Sequence, residues 1–167
     1  EALAGRQVKF DQQFLGAASI GRLLQVTYAP EWDERGIVTG FIAAIVDITE
    51  RKQAEQARAT LAAIVESSED AIVSKDLNGL ITSWNRGAER LYGYTRQEAV
   101  GQSVLLVIPD EQIEEETPIL AKIVRGETVQ QYETIRRRKD GTLIDIALTV
   151  SAIRNDEGRI VGVSKVA

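Results

Sequence analysis

Cysteine, histidine and methionine are absent from this 167-residue chain, proline occurs three times, and aromatic residues make up 5%. Without cysteine there are no disulfides, thiolate metal ligands, thiol nucleophiles or covalent thiol–cofactor adducts. Without histidine there is no imidazole base, no histidine-ligated heme and no ordinary zinc site. No apolar run approaches the roughly eighteen residues that a membrane helix needs, and no stretch reads as a signal peptide. The net charge of −5 argues against a nucleic-acid partner, which calls for a basic face. What is present suits a packed fold: 44% of residues are hydrophobic, and the net charge is too small to enforce disorder. The chain does not open on methionine, and Glu1-Ala2-Leu3-Ala4-Gly5 reads as a helix end with its glycine cap. The expectation is a segment beginning inside a domain.

The chain repeats itself. Gly5 answers to Gly126, and Gly21-Arg22-Leu23-Leu24 answers to Gly141-Thr142-Leu143-Ile144. Asp33-Glu34-Arg35-Gly36-Ile37-Val38 answers to Asp156-Glu157-Gly158-Arg159-Ile160-Val161, and Gly40 to Gly162. Each copy reads as three antiparallel strands. In the second copy Ile144, Ile146, Leu148 and Val150 alternate onto one face. The first copy goes on to Asp47-Ile48-Thr49-Glu50, and the second ends before that motif. The expected organisation is therefore three regions: 1–47, the three-stranded second half of a first domain; 48–67, a linker helix; and 68–167, a nearly complete second domain. Strands lacking a front half leave an open edge, so a partner chain is expected there.

Thr49 is a candidate helix cap, with Glu50 in the first turn. Residues 50–67 contain neither glycine nor proline. Ala54, Ala57, Leu61 and Ile64 fall at three- and four-residue steps, the a/d seam of a dimeric coiled coil. A single helix lying on its own domain reads from the same pattern.

Beyond the helix, residues 71–75 and 80–84 read as strands joined by Asp76-Leu77-Asn78-Gly79, with Asn-Gly at the turn. Asn85 is placed to cap the next helix, and Thr95-Arg96-Gln97-Glu98 is a capping box. Thr117-Pro118 suits the start of a longer helix through Arg125. Arg136-Arg137-Arg138-Lys139 reads as a solvated hairpin tip or a partner for Asp47. Glu114-Glu115-Glu116 reads as a solvated, dipole-favouring run.

Several motifs resemble one family. Trp84-Asn85-Arg86-Gly87-Ala88-Glu89-Arg90-Leu91-Tyr92-Gly93-Tyr94-Thr95, Arg137-Arg138-Lys139-Asp140-Gly141 and Asp47-Ile48-Thr49-Glu50-Arg51-Lys52 are similar to PAS-domain signatures, in the right order and spacing. The resemblance implies an α+β fold, with a five-stranded antiparallel sheet, helices on one face and a small cavity between them. It further implies a cytoplasmic sensory module that forms a homodimer and feeds an output domain in the same parent chain. A histidine kinase or a diguanylate cyclase of a bacterial signalling system would be such a parent. No nucleic-acid or membrane contact is expected of this segment, and no catalysis, since no poised base, nucleophile or metal site is present.

The expected pocket lining is Ile72, Ser74, Leu91, Ile108, Ile123, Thr134, Ile146 and Leu148, each of which also reads as plain core. Asp47, Ile48 and Thr49 are the expected relay from sheet to helix. No metal site is expected. A cysteine-adduct flavin and a histidine-ligated heme are excluded by composition. Non-covalent flavin, a small organic metabolite and no ligand at all remain open.

Overall fold

The computed structural model describes residues 2–16 and 19–167, which divide into two compact units, Glu1–Leu61 and Ala62–Ala167. In the first unit, strands β1 (Val8–Gly16), β2 (Ser19–Trp32) and β3 (Val38–Asp47) form an antiparallel sheet in chain order. Register places Val8, Phe10 and Phe14 beside Tyr28, Val26 and Arg22, and Val26 and Pro30 beside Ile45 and Phe41. That face is mostly apolar, with Gln12, Arg22 and Asp47 as its polar members. Tyr28 sits 5.1 Å edge-on to Phe41 and 6.0 Å from Phe10, ring centre to ring centre. Phe14, Phe41 and Ile45 on that face are exposed.

The turn before β3 corrects the repeat alignment by one residue. Asp33 accepts from the amides of Arg35 and Ile37, as Asn155 does from those of Glu157 and Arg159. Asp33 thus answers to Asn155, and Gly36 and Gly158 then align with φ of 74° and 77°.

Helix α1 spans Thr49–Ser67, and none of its residues is buried. Ala54, Ala57, Leu61 and Ile64 are all exposed, Leu61 at 64%.

In the second unit, β4 (Ile72–Asp76) and β5 (Ile81–Trp84) form the hairpin, followed by the short helices α2 (Arg86–Tyr92) and α3 (Arg96–Ala99). Two 3-10 segments, Val104–Val107 and Asp110–Glu115, lead into α4 (Glu116–Val124). Strands β6 (Val129–Arg137), β7 (Leu143–Arg154) and β8 (Ile160–Val166) complete an antiparallel sheet of order β5-β4-β8-β7-β6. Two of the caps predicted from sequence form, whereas Thr117, expected to cap the longer helix, lies inside α4, whose N-cap position Glu115 makes no side-chain cap bond. Asn85 accepts from the Ala88 amide at 2.9 Å, and Thr95 and Glu98 make a reciprocal capping box. Helix α2 packs so closely at Gly87 that a Cβ there would lie 2.0 Å from the Asp70 carbonyl oxygen.

The core has two joined clusters. One gathers Val73, Ile81, Trp84, Tyr92, Val104 and Ile108; the other gathers Ile119, Ile123, Ile146, Leu148, Val150 and Val163. Leu91, Ile144 and Ala167 pack against both. Trp84 is 1% exposed and donates its indole N–H to the Tyr94 carbonyl at 3.0 Å. Full burial of such side chains stabilises by about 2–3 kcal/mol each.

One irregularity sets what faces this core. Gln131 has φ of +48°, and the β6–β7 register shifts between Val129 and Tyr132. This β-bulge adds a residue, so the side chains beyond it change face. Thr134 and Arg136 are thereby buried.

Candidate functional site

The space between the inner sheet face and the helices is nearly filled. A cavity of about 10 Å³ remains, lined by Ala71, Val73, Tyr92, Val104, Val107, Arg136, Leu148, Lys165 and Ala167. That is room for about one water molecule. Of the residues expected to line a pocket, Leu148 does so. Ile108, Ile123 and Ile146 are buried in the core, and Leu91 bridges its two clusters.

Strand β4 has the opposite parity from the one expected. Val73 and Lys75 are buried, whereas Ile72 and Ser74 are half-buried on the other face. Ser74 shares hydrogen bonds with Ser83 and, at 2.8 Å, with Thr82. The polar handle that β4 offers the interior is therefore Lys75.

Lysine and arginine are rarely buried unless paired, yet three cations face inward here. Lys75 and Lys165 are 6% exposed and Arg136 is 2% exposed. Glu116, the first residue of α4, pairs with both lysines. Glu115, one residue earlier, accepts from the Thr134 hydroxyl at 2.8 Å and lies 3.4 Å from Arg136 Nη1. The Thr134 hydroxyl in turn accepts from Arg136 Nη1 at 2.8 Å, so Thr134 belongs to this network. Two sequence readings are corrected. The basic run does not lie wholly in solvent, because the bulge turns Arg136 inward. The glutamate run is not wholly solvated, because Glu115 and Glu116 neutralise buried charge.

The electrostatics follow from burial and pairing. Burial pushes the Glu116 carboxyl up, but Lys165 and Lys75 outweigh it and hold the group below its usual range. Burial lowers Lys165 to about 8, with Glu116 opposing the shift and Lys75 and Arg136 adding to it. Burial raises the Tyr92 hydroxyl to about 12. Nη1 of Arg136 also donates to the Ile135 carbonyl at 2.7 Å, whereas its Nη2 is buried with no partner among the described residues.

In the first unit the strand-to-helix junction is tightly tied. Asp47 accepts from both the amide (3.0 Å) and the hydroxyl (2.6 Å) of Thr49. Those bonds lower its pKa, with Arg22, 3.6 Å away, adding to the effect. The Thr49 hydroxyl accepts from the Leu23 amide at 2.8 Å, and the Ile48 amide donates to the Leu23 carbonyl at 2.9 Å. Thr49 is thus the first helical residue and Asp47 holds the turn, rather than Thr49 acting as cap. Ile48 is buried.

Among the described residues, no three acidic side chains cluster as a metal site, and no helix is long and apolar enough to cross a membrane.

The PAS fold family matches residues 59–166. Over 107 residues the chain is 32% identical to the sensor protein FixL of Bradyrhizobium diazoefficiens, covering 60% of this chain and 21% of that protein. Over 99 residues it is 30% identical to the signal transduction histidine-protein kinase AtoS of Escherichia coli, covering 59% of this chain and 16% of that one. The chain thus spans about a fifth or less of these relatives. Among solved structures, a PAS domain of a Colwellia psychrerythraea protein superposes with a TM-score of 0.61 at 28% identity, over 66% of this chain and 93% of that one. With a bulged five-stranded sheet, short capped helices and the family's match over most of its length, this chain belongs to the PAS family.

Proposed function

We propose that this chain is the sensory, regulatory part of a cytoplasmic signal-transduction protein, one that dimerises along α1 and passes a signal to an output domain in the same parent chain. The observation that carries this reading is the junction at Asp47, Ile48 and Thr49. Hydrogen bonds from these residues fasten the start of α1 to β2 and to the end of β3. A change of sheet geometry therefore acts on the first turn of the helix. Such a change becomes a signal when a ligand binds two helix arrangements with different free energies. Similarity to two sensor proteins, one of them named as a histidine kinase, favours a kinase as the output. A diguanylate cyclase is the alternative output.

For the dimer, the apolar residues Leu61 and Ile64 stand exposed on the Ala54–Ala57–Leu61–Ile64 seam, which suits a two-stranded coiled coil. Sedimentation velocity of the chain and of Leu61→Glu tests this. A dimer that becomes monomeric on substitution is expected; equal dimerisation of the two would refute the seam.

The nearly filled interior favours a second reading, a dimeric transmission scaffold without a ligand. It disfavours non-covalent flavin, whose ring system needs a pocket of several hundred Å³.

A further inference from the structure

The chain has three asparagines, Asn78, Asn85 and Asn155, and Asn78 alone precedes a glycine. An asparagine side chain can be attacked at its amide carbon by the backbone nitrogen of the next residue, and glycine, with no Cβ, obstructs that approach least. The three sites also differ in structure. Asn85 is 2% exposed and its amide makes four hydrogen bonds. Asn155 is exposed, but its Oδ1 accepts from the Glu157 and Arg159 amides, and Asp156 follows it. Asn78 is exposed in the β4–β5 turn. Its Nδ2 donates to Asp76 Oδ2 at 3.4 Å, a weak bond, and its Oδ1 has no hydrogen-bond partner among the described residues. Gly79 has φ of +89°, nothing within 4 Å of where a Cβ would stand, and an amide held by a 3.2 Å bond to the Asp76 carbonyl. The Asp140-Gly141 turn is equally open. Its side chain, however, is a carboxylate, a poor electrophile, held ionised by the Thr142 amide.

We propose that Asn78 is a site of spontaneous deamidation in the folded chain, and that the product alters the joint between the β4–β5 hairpin and the helices. The Gly79 amide nitrogen, losing its proton to water, bonds to the Asn78 side-chain carbonyl carbon. The Cγ–Nδ2 bond breaks and ammonia leaves, giving a succinimide ring. Water then opens the ring at either carbonyl, giving aspartate or isoaspartate, and no oxidant or reductant takes part. In the aspartate product a carboxylate oxygen replaces Nδ2, which lies 3.4 Å from Asp76 Oδ2, so a hydrogen bond becomes a repulsion. In isoaspartate the backbone gains a methylene where Asp76 Oδ1 holds the amides of Asn78 and Leu80. The turn is tied to the helical layer by the Val104 amide, which donates to the Gly79 carbonyl at 2.9 Å, and by the bridge between Leu80 and Ser103. Deamidation therefore loosens the joint between the hairpin and the 3-10 segment Val104–Val107. It also adds a negative charge to the open cleft of about 190 Å³ that Asn78 lines with Lys75 and Glu116. The chemistry requires neither a dimer nor an output domain, so it stands or falls apart from the sensory reading.

The test is incubation of the full chain at mildly alkaline pH, folded and in guanidinium chloride, followed by tryptic peptide mass mapping. Asn78 and Asn85 share the peptide from Asp76 to Arg86, between cleavage sites after Lys75 and Arg86, so fragmentation reads both from one sample. A gain of one mass unit at Asn78 is expected, with the isoaspartate fraction read by methyl transfer from an isoaspartyl methyltransferase. The folded rate at Asn78 should lie within about tenfold of the denatured one, because an exposed turn opens at little cost. At Asn85, which reacts only from opened states, folding should slow conversion by more than about a hundredfold. Asn78→Gln, whose ring closure is unfavourable, should stay unmodified. Asn78→Asp should lower the unfolding midpoint by about 5 °C. A folded rate at Asn78 more than about tenfold below the denatured one, or conversion at Asn85 as fast as at Asn78, would overturn the site. An unchanged midpoint in Asn78→Asp would overturn its effect on the joint.

Discussion

Replacing Glu116 by leucine perturbs the interior most sharply. Glu116 is the one carboxylate bridging Lys75 and Lys165, both nearly inaccessible to water. Its loss leaves two ammonium groups buried without a counter-charge. Breaking a buried pair from one side costs about 3–5 kcal/mol, because the remaining charge is desolvated and unpaired. Relief comes where a lysine sheds its proton, so the lower end, about 3 kcal/mol, is expected at pH 7. For a unit of this size that lowers the unfolding midpoint by more than about 10 °C. Adding Lys75→Met and Lys165→Met to Glu116→Leu makes the cluster apolar, and should recover most or all of the loss. Urea unfolding followed by Trp84 emission measures this in a Trp32→Phe background, since Trp84 is 1% exposed and Trp32 is 54% exposed. A loss below about 1 kcal/mol for Glu116→Leu would refute the buried-charge account, as would a triple variant no more stable than the single one.

Other outcomes follow from the same geometry. Lys165 should titrate near pH 8, against 10.5 for an unperturbed lysine. Its folded-state pKa lies below its unfolded one, so the destabilisation from burying its charge is fully present below pH 8 and is relieved as pH rises from 8 towards 10.5. Glu116, Lys75 and Arg136 are the charged groups acting on it. Carbon NMR of the lysine ε positions reads the titration directly, and a midpoint above 10 would contradict it. Asn85→Ala should cost about 3 kcal/mol in the same urea assay, from loss of the cap and of bonds to buried groups. Asn85 accepts from the Ile72 and Ala88 amides and donates to the Val65 and Asp70 carbonyls. A cost below 1 kcal/mol would show that water replaces those bonds.

The sequence carried the fold well because its local signals agree with the tertiary structure. Asn-Gly at the β4–β5 turn, the Asn85 cap and the Thr95–Glu98 box act within four residues and form as read. The interior charge was not legible for physical reasons. Arg136 sits in a basic run, and only the bulge at Gln131, which no glycine announces, turns it inward. Its partner Glu115 is 21 positions away, and Glu116 lies 41 and 49 positions from Lys75 and Lys165. Local charge patterns cannot report such pairings. On β4 the alternation of Ala71, Val73 and Lys75 against Ile72, Ser74 and Asp76 gives each face an apolar member, so parity was ambiguous.

The charge network inside this PAS module stands or falls with Glu116, which pairs with both Lys75 and Lys165 while the two lysines are shielded from water. A crystal structure of the full chain is the direct test. Glu116 is expected between the two lysine Nζ atoms, with both lysines buried. Either lysine turned out to solvent and parted from Glu116 would contradict the arrangement.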